Sequence, residues 1–218
     1  MATTIRRRTA SVLLLAAILT PLAAAQDSRS IQLKAPQVDG GRPLMQALQD
    51  RSSSREFAPE KLPVEVLSNL FWAAFGINRP ENEHRTAPSA QNMQEIDLYA
   101  ATADGLYKYE PRTHQLVFIL KDDLRALSGQ QAYAAQAPLN IVYVADYSRM
   151  SKVPSDEREF DAAADTGFIS QNVYLYCASE GLATVVRSSI DRATLSKAMK
   201  LRSDQKITLA QSVGFPKK

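Results

Sequence analysis

The 218-residue sequence predicts an α+β fold: a mixed, mainly antiparallel sheet flanked by helices, with one long helix at the centre. Three observations predict it. Strand-like stretches lie close together at 95–102, 106–110 and 115–120, and in the first Ile96, Leu98 and Ala100 alternate with Asp97 and Tyr99, the period of a half-buried strand. "LNIVYVADY" is a continuous apolar run, as in a central strand buried on both faces. Over residues 156–180, Phe160, Ala164, Phe168, Gln171, Leu175 and Ala178 recur at three- and four-residue steps, the spacing of a helical stripe.

Along the chain, residues 1–25 carry a basic head (Arg6, Arg7, Arg8), an apolar run from Val12 to Leu22 and the small end Ala23-Ala24-Ala25. That grammar predicts a secretory signal cleaved after Ala25, and hence an exported, periplasmic protein. The apolar run, broken by Thr20 and Pro21, is short for a bilayer span, so no membrane insertion is expected after cleavage. Residues 26–43 are polar and Pro/Gly-punctuated and read as an extended arm; residues 44–218 read as one folded domain.

Within that domain "PLMQALQDR" is a short helix. "LPVEVLSNLFWAAFGIN" is a clearer one, with Pro63 in its first turn and Val66, Leu67, Leu70, Phe71, Ala74 and Phe75 on one stripe. "INRPENEHRTAP" breaks it. The stretches 106–110 and 115–120 form a hairpin through "EPRTHQ". "LSGQQAYAAQA" reads as a helix ending against Pro138, and Gly181 stops the long helix. "ATVVRSSI" is a strand or extended turn, Asp191 caps a helix carrying Leu195, Ala198 and Met199, and "KITLAQSVGFP" is the last strand.

Charge excludes some partners. The formal net charge is +3, from 26 Lys and Arg against 23 Asp and Glu. Residues 1–25 hold three of those arginines and no acid, so the mature chain has 26 − 3 = 23 bases against 23 acids and is formally neutral. Nothing in that balance points to nucleic acid or to a membrane surface. The single cysteine, Cys177, sits in the apolar stretch "NVYLYCASEGL" and reads as a buried small hydrophobe. His84 and His114 stand apart, with no partner at metal-ligand spacing, so no metal is expected.

Three polar clusters are candidate binding segments. "DRSSSREF" offers Arg51, Ser52, Ser53 and Arg55, guanidiniums and hydroxyls suited to phosphate oxygens; a capped, solvated turn would use the same residues. "PSAQNMQ" brings Ser89, Asn92 and Gln94, with donors and acceptors for a polar ring edge, or for an Asx turn before a strand. "VVRSSID" places Ser188 and Ser189 after a hydrophobic run, where they also serve a helix cap.

Taken in order, these segments resemble the nitroreductase family of FMN-dependent oxidoreductases. Its Arg-Arg-Ser-x-Arg-x-Phe phosphate motif is matched by Arg51-Ser52-Ser53-Ser54-Arg55-Glu56-Phe57, and its Pro-Ser-(Ala/Ser)-x-Asn-x-Gln loop by Pro88-Ser89-Ala90-Gln91-Asn92-Met93-Gln94. Its Gly-Leu-Gly-Thr and Gly-Tyr-Pro segments are close to Gly181-Leu182-Ala183-Thr184 and Gly214-Phe215-Pro216. The resemblance implies a nitroreductase-like homodimer with FMN at its interface. Arg51, Ser52, Ser53 and Arg55 would hold the phosphate and ribityl oxygens. Pro88, Ser89, Ala90 and Asn92 would approach the same flavin from the partner chain. Gln130 or Gln131 would stand near the isoalloxazine edge, Val186, Ser188 and Ser189 would face the ring and N5, and Lys217 or Lys218 would reach the phosphate. Ser52 stands where the motif has its second arginine, Ser188-Ser189 where many members have Glu-Gly or Gly-Gly, and Tyr133 where classical enzymes have a lysine.

The implied activity is ping-pong hydride transfer from a reduced nicotinamide, or another donor, to a small electron-poor acceptor such as a nitro compound or quinone. No catalytic acid or base is expected beyond flavin and solvent. Two other outcomes share the scaffold: a dehydrogenase acting on a peptide-derived ring, as in the azoline-oxidising branch, and an exported flavin-binding protein without turnover.

Overall fold

The computed structural model describes Met1 and residues 28–218, so the signal expected over 1–25 lies, Met1 aside, outside the described residues. In chain order the elements are β1 (Ile31–Gln32), α1 (Leu44–Asp50), α2 (Val64–Phe75), β2 (Ile77–Arg79), β3 (His84–Arg85), β4 (Ile96–Thr102), β5 (Gly105–Glu110), β6 (Gln115–Leu120), α3 (Tyr133–Gln136), β7 (Leu139–Asp146), α4 (Arg158–Glu180), β8 (Ala183–Arg187), α5 (Arg192–Ala198) and β9 (Gln205–Gly214). A seven-stranded sheet runs β1-β6-β5-β4-β7-β9-β8, and β2 and β3 form a small separate hairpin. Every neighbouring pair in the large sheet is antiparallel, including the expected β5–β6 hairpin.

The sheet is covered on both faces. Along β7, Leu139, Ile141, Tyr143 and Ala145 enter the core that contains α2 and α4, while Val142 and Val144 enter a second core with Leu195 of α5. The period of two does the sorting. β4 departs from its half-buried reading for the same reason. Ile96, Leu98 and Ala100 face the first core, Tyr99 and Ala101 face the second, and Asp97 is buried against Lys108 and Arg149. The second face has its own cover, which alternation alone does not reveal.

On α2 the expected stripe is buried at Leu67, Leu70, Phe71, Ala74 and Phe75, with Val66 at its margin and Pro63 as the residue before the first turn. Phe71 packs on Tyr109 at 5.3 Å between ring centres. On α4 the expectation was misdirected. Its buried face is Ala162, Asp165, Thr166, Ile169, Ser170, Val173, Tyr174 and Cys177, whereas Phe160 and Phe168 on the predicted stripe are 76% and 49% exposed. The inner face carries enough polar groups that the outer one reads as more apolar.

The helix expected over 127–137 is also corrected. A 3₁₀ turn at Arg125–Ser128 and the single turn of α3 are separated by extended Gly129 (φ −173°). A side chain there would meet Arg187 Nε at 2.2 Å. Of the expected arm, residues 28–43 are described and fold back on the domain: Ile31 pairs with Leu116, Leu33 is buried, and Gln37 N donates to Asn69 Oδ1 at 2.8 Å.

Gly181 ends α4 in the left-handed region (φ 69°), its N–H bonded to the Cys177 carbonyl. An L side chain there costs about 1–2 kcal/mol. Gly181→Ala is therefore expected to lower the thermal midpoint by about 2–8 °C, read by thermal unfolding.

Candidate functional site

Four segments far apart in sequence meet at the open end of β8. Tyr174, on the inner face of α4, is the joint. Its hydroxyl lies 2.8 Å from Ser53 Oγ and accepts the Val186 N–H at 3.0 Å. The Arg51 guanidinium lies over the Tyr174 ring at 5.4 Å. The backbone fixes the same arrangement: Ser54 N donates to the Thr184 carbonyl at 2.9 Å and Ala58 N to the Phe215 carbonyl at 2.9 Å. Phe57 bridges to Pro216, and Lys217 N donates to the Glu56 carbonyl at 3.4 Å. Gln130 joins from the other side: its N–H donates to the Ser189 carbonyl at 3.1 Å and its Oε1 accepts the Ser189 hydroxyl at 2.7 Å.

The electrostatics of this surface are unbalanced. Among the described residues no carboxylate forms an ion pair with Arg51, Arg55, Lys217 or Lys218. Ser52, Arg55, Ser188 and Ser189 are exposed, and Val186 is half-buried. Gln131 Oε1 is buried without a hydrogen-bond partner. Exposed cations and exposed hydroxyls together make a surface for a ligand with an anionic end. Tyr174→Phe, which deletes both tyrosyl bonds, is expected to destabilise the chain by about 1–3 kcal/mol. Chemical denaturation reads that loss.

Arg187 lies beneath this surface, 6% exposed. Its Nε donates to the Ser128 carbonyl (3.1 Å), Nη1 to Ser212 Oγ (2.7 Å), and Nη2 to Ser128 Oγ and Asn140 Oδ1 (2.8 Å each). All these acceptors are neutral. Burial lowers its guanidinium to about 10, so it remains charged at neutral pH.

The loop of 88–94 is not part of this assembly within one protomer. It docks on the N-terminal half of α4, where Ala90 N donates to Asp165 Oδ2 at 2.8 Å. Tyr174 lies nine residues further along the same helix, about 13 Å away at the helical rise. Gln91, Asn92 and Gln94 all adopt left-handed backbone (φ 50°, 53° and 50°), strain that a loop keeps only where its surroundings over-determine it. Gln94 supplies much of that constraint: its N–H donates to Ser89 Oγ, its Nε2 to Asn92 Oδ1 and the Glu83 carbonyl, and its Oε1 accepts from Arg85 Nε. Pro88 and Asn92 are exposed.

Glu95 follows this loop, fully buried. Burial first, and then the neighbouring Asp165 carboxyl, push it up to about 7 from the ordinary 4.5. A raised acid contributes stability that is present below about pH 4.5 and lost as pH rises through about 7.

The sequence pattern of the nitroreductase family matches residues 48–215. The chain belongs to the nitroreductase family. By family it is a flavin-dependent oxidoreductase. It is 32% identical over 169 residues to a candidate nitroreductase of Methanocaldococcus jannaschii, covering 73% of this chain and 83% of that protein. The crystal structure of a candidate nitroreductase from Ralstonia eutropha superposes with a TM-score of 0.84 at 42% identity, over 87% of this chain and 90% of that one. A candidate nitroreductase from Desulfovibrio desulfuricans, solved in complex with FMN, shares the fold at 22% identity and a TM-score of 0.60, over 82% of this chain and 89% of that one.

In this nitroreductase-family chain the structure thus brings together the predicted residues Arg51, Ser53, Gln130, Val186, Ser189 and Lys217, with Ser52, Arg55 and Ser188 alongside. It sets Pro88, Ser89, Ala90 and Asn92 apart. Of the two glutamines, Gln130 is tied to Ser189 and Gln131 keeps the free acceptor. Tyr174, Arg187, Glu95 and Asp165 escaped the sequence reading. Tyr174 lies off the stripe singled out on α4, Arg187 reads as an ordinary strand residue, and a buried pair 70 positions apart leaves no local signal. His114 is engaged through both ring nitrogens, by Tyr109 OH and Ser68 Oγ.

Proposed function

We propose that the protein is an exported FMN oxidoreductase that works as a homodimer, and that the observation carrying this reading is the convergence on Tyr174. That one hydroxyl links the arginine–serine segment to the end of β8, so a ligand held by Arg51 and Ser53 would lie beside Val186 and the serines that follow it. The residues present fit FMN. Arg51, Arg55 and Lys217 are cations in need of an anion, Ser52 and Ser53 offer hydroxyls to phosphate and ribityl oxygens, and Gln131 Oε1 needs a donor such as a ring N–H.

Bound FMN would supply the hydride chemistry, taking electrons from a reduced nicotinamide and passing them to an electron-poor acceptor such as a nitro compound or quinone. The chain binds, orients and tunes. Ser188 and Ser189 would hold the ring's N5 side, with Gln130, tied to the Ser189 hydroxyl, at the neighbouring edge. The partner protomer completes the pocket with Pro88, Ser89, Ala90 and Asn92, which explains why this loop is rigid yet remote from its own chain's site. Exposed Leu44, Met45 and Leu48 on α1 and Phe160 and Phe168 on α4 supply apolar surface for such a dimer. Export rests on the pattern of residues 1–25.

Steady-state rates with donor and acceptor varied together test the mechanism. Parallel double-reciprocal lines are expected, and intersecting lines would contradict ping-pong transfer. Reduction by a peptide-derived ring but by neither NADH nor NADPH would instead assign the dehydrogenase. Sedimentation is expected to give a dimer; a monomer that retains flavin would refute the shared pocket.

A further inference from the structure

We propose that Glu95 is held protonated beside Asp165, and that this protonated carboxyl positions the loop of residues 89–94 at the flavin pocket. The inference rests on the reading above only in what the loop does, not in how it is held.

Both carboxyls are inside the protein, Glu95 at 0% and Asp165 at 2% exposure. Each holds one end of the loop. Glu95 Oε2 accepts the Ser89 hydroxyl at 3.2 Å, and Asp165 Oδ2 accepts the Ala90 N–H at 2.8 Å. Glu95 Oε1 is buried without a hydrogen-bond partner among the described residues, and the two carboxyls are brought together by their hold on the consecutive residues Ser89 and Ala90. A fully buried carboxyl with an unpartnered oxygen and a second carboxyl beside it favours its neutral form, because neither solvent nor a donor is there to stabilise the charge.

No cation relieves the pair. Among the described residues neither carboxyl has an ion-pair partner. The surrounding charges are committed elsewhere. Arg149 binds Asp97 at 2.7 Å and donates to the Gln94 and Glu95 carbonyls. Lys108 also holds Asp97, Arg202 holds Asp146, and Arg85 is spent on Gln94 Oε1 and the Phe75 carbonyl. The Glu95 backbone cannot retreat, because its carbonyl also accepts the Asp146 N–H at 2.9 Å. Loss of the Glu95 proton therefore puts a buried, uncompensated charge under a loop with three left-handed residues. Releasing the loop is the available relief.

Hydrogen exchange of the Ala90 and Gln94 amides in the full mature protein tests this, at pH 6 and pH 8.5, corrected for intrinsic exchange. Protection is expected to fall at least tenfold at the higher pH. In Glu95→Gln, whose amide donates to Asp165 at either pH, protection is expected to stay flat. Glu95→Ala, which deletes the bridge, is expected to expose the loop at both. FMN affinity measured on the same samples should follow, weakening with pH in the wild type and not in Glu95→Gln. Wild-type protection that is flat with pH, or Glu95→Gln tracking the wild type, would overturn the proposal. A protein whose loop responds as expected but takes up no FMN would keep the pair and sink the flavin reading; tight FMN binding with flat exchange would do the reverse.

Discussion

Replacing Arg51 and Arg55 together by alanine is expected to weaken FMN binding by about 10²–10⁴-fold. Hydrogen bonds to charged groups contribute about 1.5–3 kcal/mol each, so two lost phosphate contacts remove about 3–6 kcal/mol, and each 1.4 kcal/mol is tenfold in affinity. Stability should change little. Arg55 is exposed, and Arg51 is half-buried with its guanidinium 5.4 Å from the Tyr174 ring centre. Quenching of flavin fluorescence on titration gives the affinity, and thermal unfolding of the flavin-free protein checks the fold. An unchanged affinity would remove the phosphate site from this surface.

Arg187→Met is expected to have the largest effect on stability. Lowering the guanidinium from its ordinary value to about 10 corresponds to a burial penalty of about 3 kcal/mol. Against it stand four charge-assisted bonds, to the Ser128 carbonyl, Ser128 Oγ, Ser212 Oγ and Asn140 Oδ1, each contributing about 1.5–3 kcal/mol. The bonds win. Removing the fork also leaves buried acceptors unpaired, so a loss of about 3 kcal/mol is expected, or about 6–12 °C in thermal midpoint. Arg187→Lys should recover only part of it, because an ammonium cannot reproduce the planar fork. Gly129→Ala should act on the same contact, since its new methyl would stand 2.2 Å from Arg187 Nε. A midpoint shift below about 2 °C in Arg187→Met would show that the network is not stabilising.

The fold was largely legible because its periods are clean. The mostly apolar run of β7 predicts burial on both faces, and Leu67, Leu70, Phe71, Ala74 and Phe75 predict the inner face of α2. Periodicity failed where the buried face is polar. α4 turns Asp165, Thr166, Ser170 and Tyr174 inward, so its apolar rhythm marks the outer face. It failed again at 127–137, where Gly129 is extended to let Arg187 approach, a constraint imposed from β8. The arginine and serine segments of the site were visible as local clusters of one chemistry. The groups that hold them in place, Tyr174 and the Glu95–Asp165 pair, act across tens of residues and become visible only when the chain is folded.

The absorbance spectrum of the purified mature protein, followed by anaerobic addition of NADH and then NADPH, tests the central claim most directly. The account predicts a yellow protein with FMN bound, whose colour bleaches when the nicotinamide is added. A colourless protein that takes up no added FMN would contradict it, and would return Arg51, Ser53 and Ser189 to the roles of turn and cap.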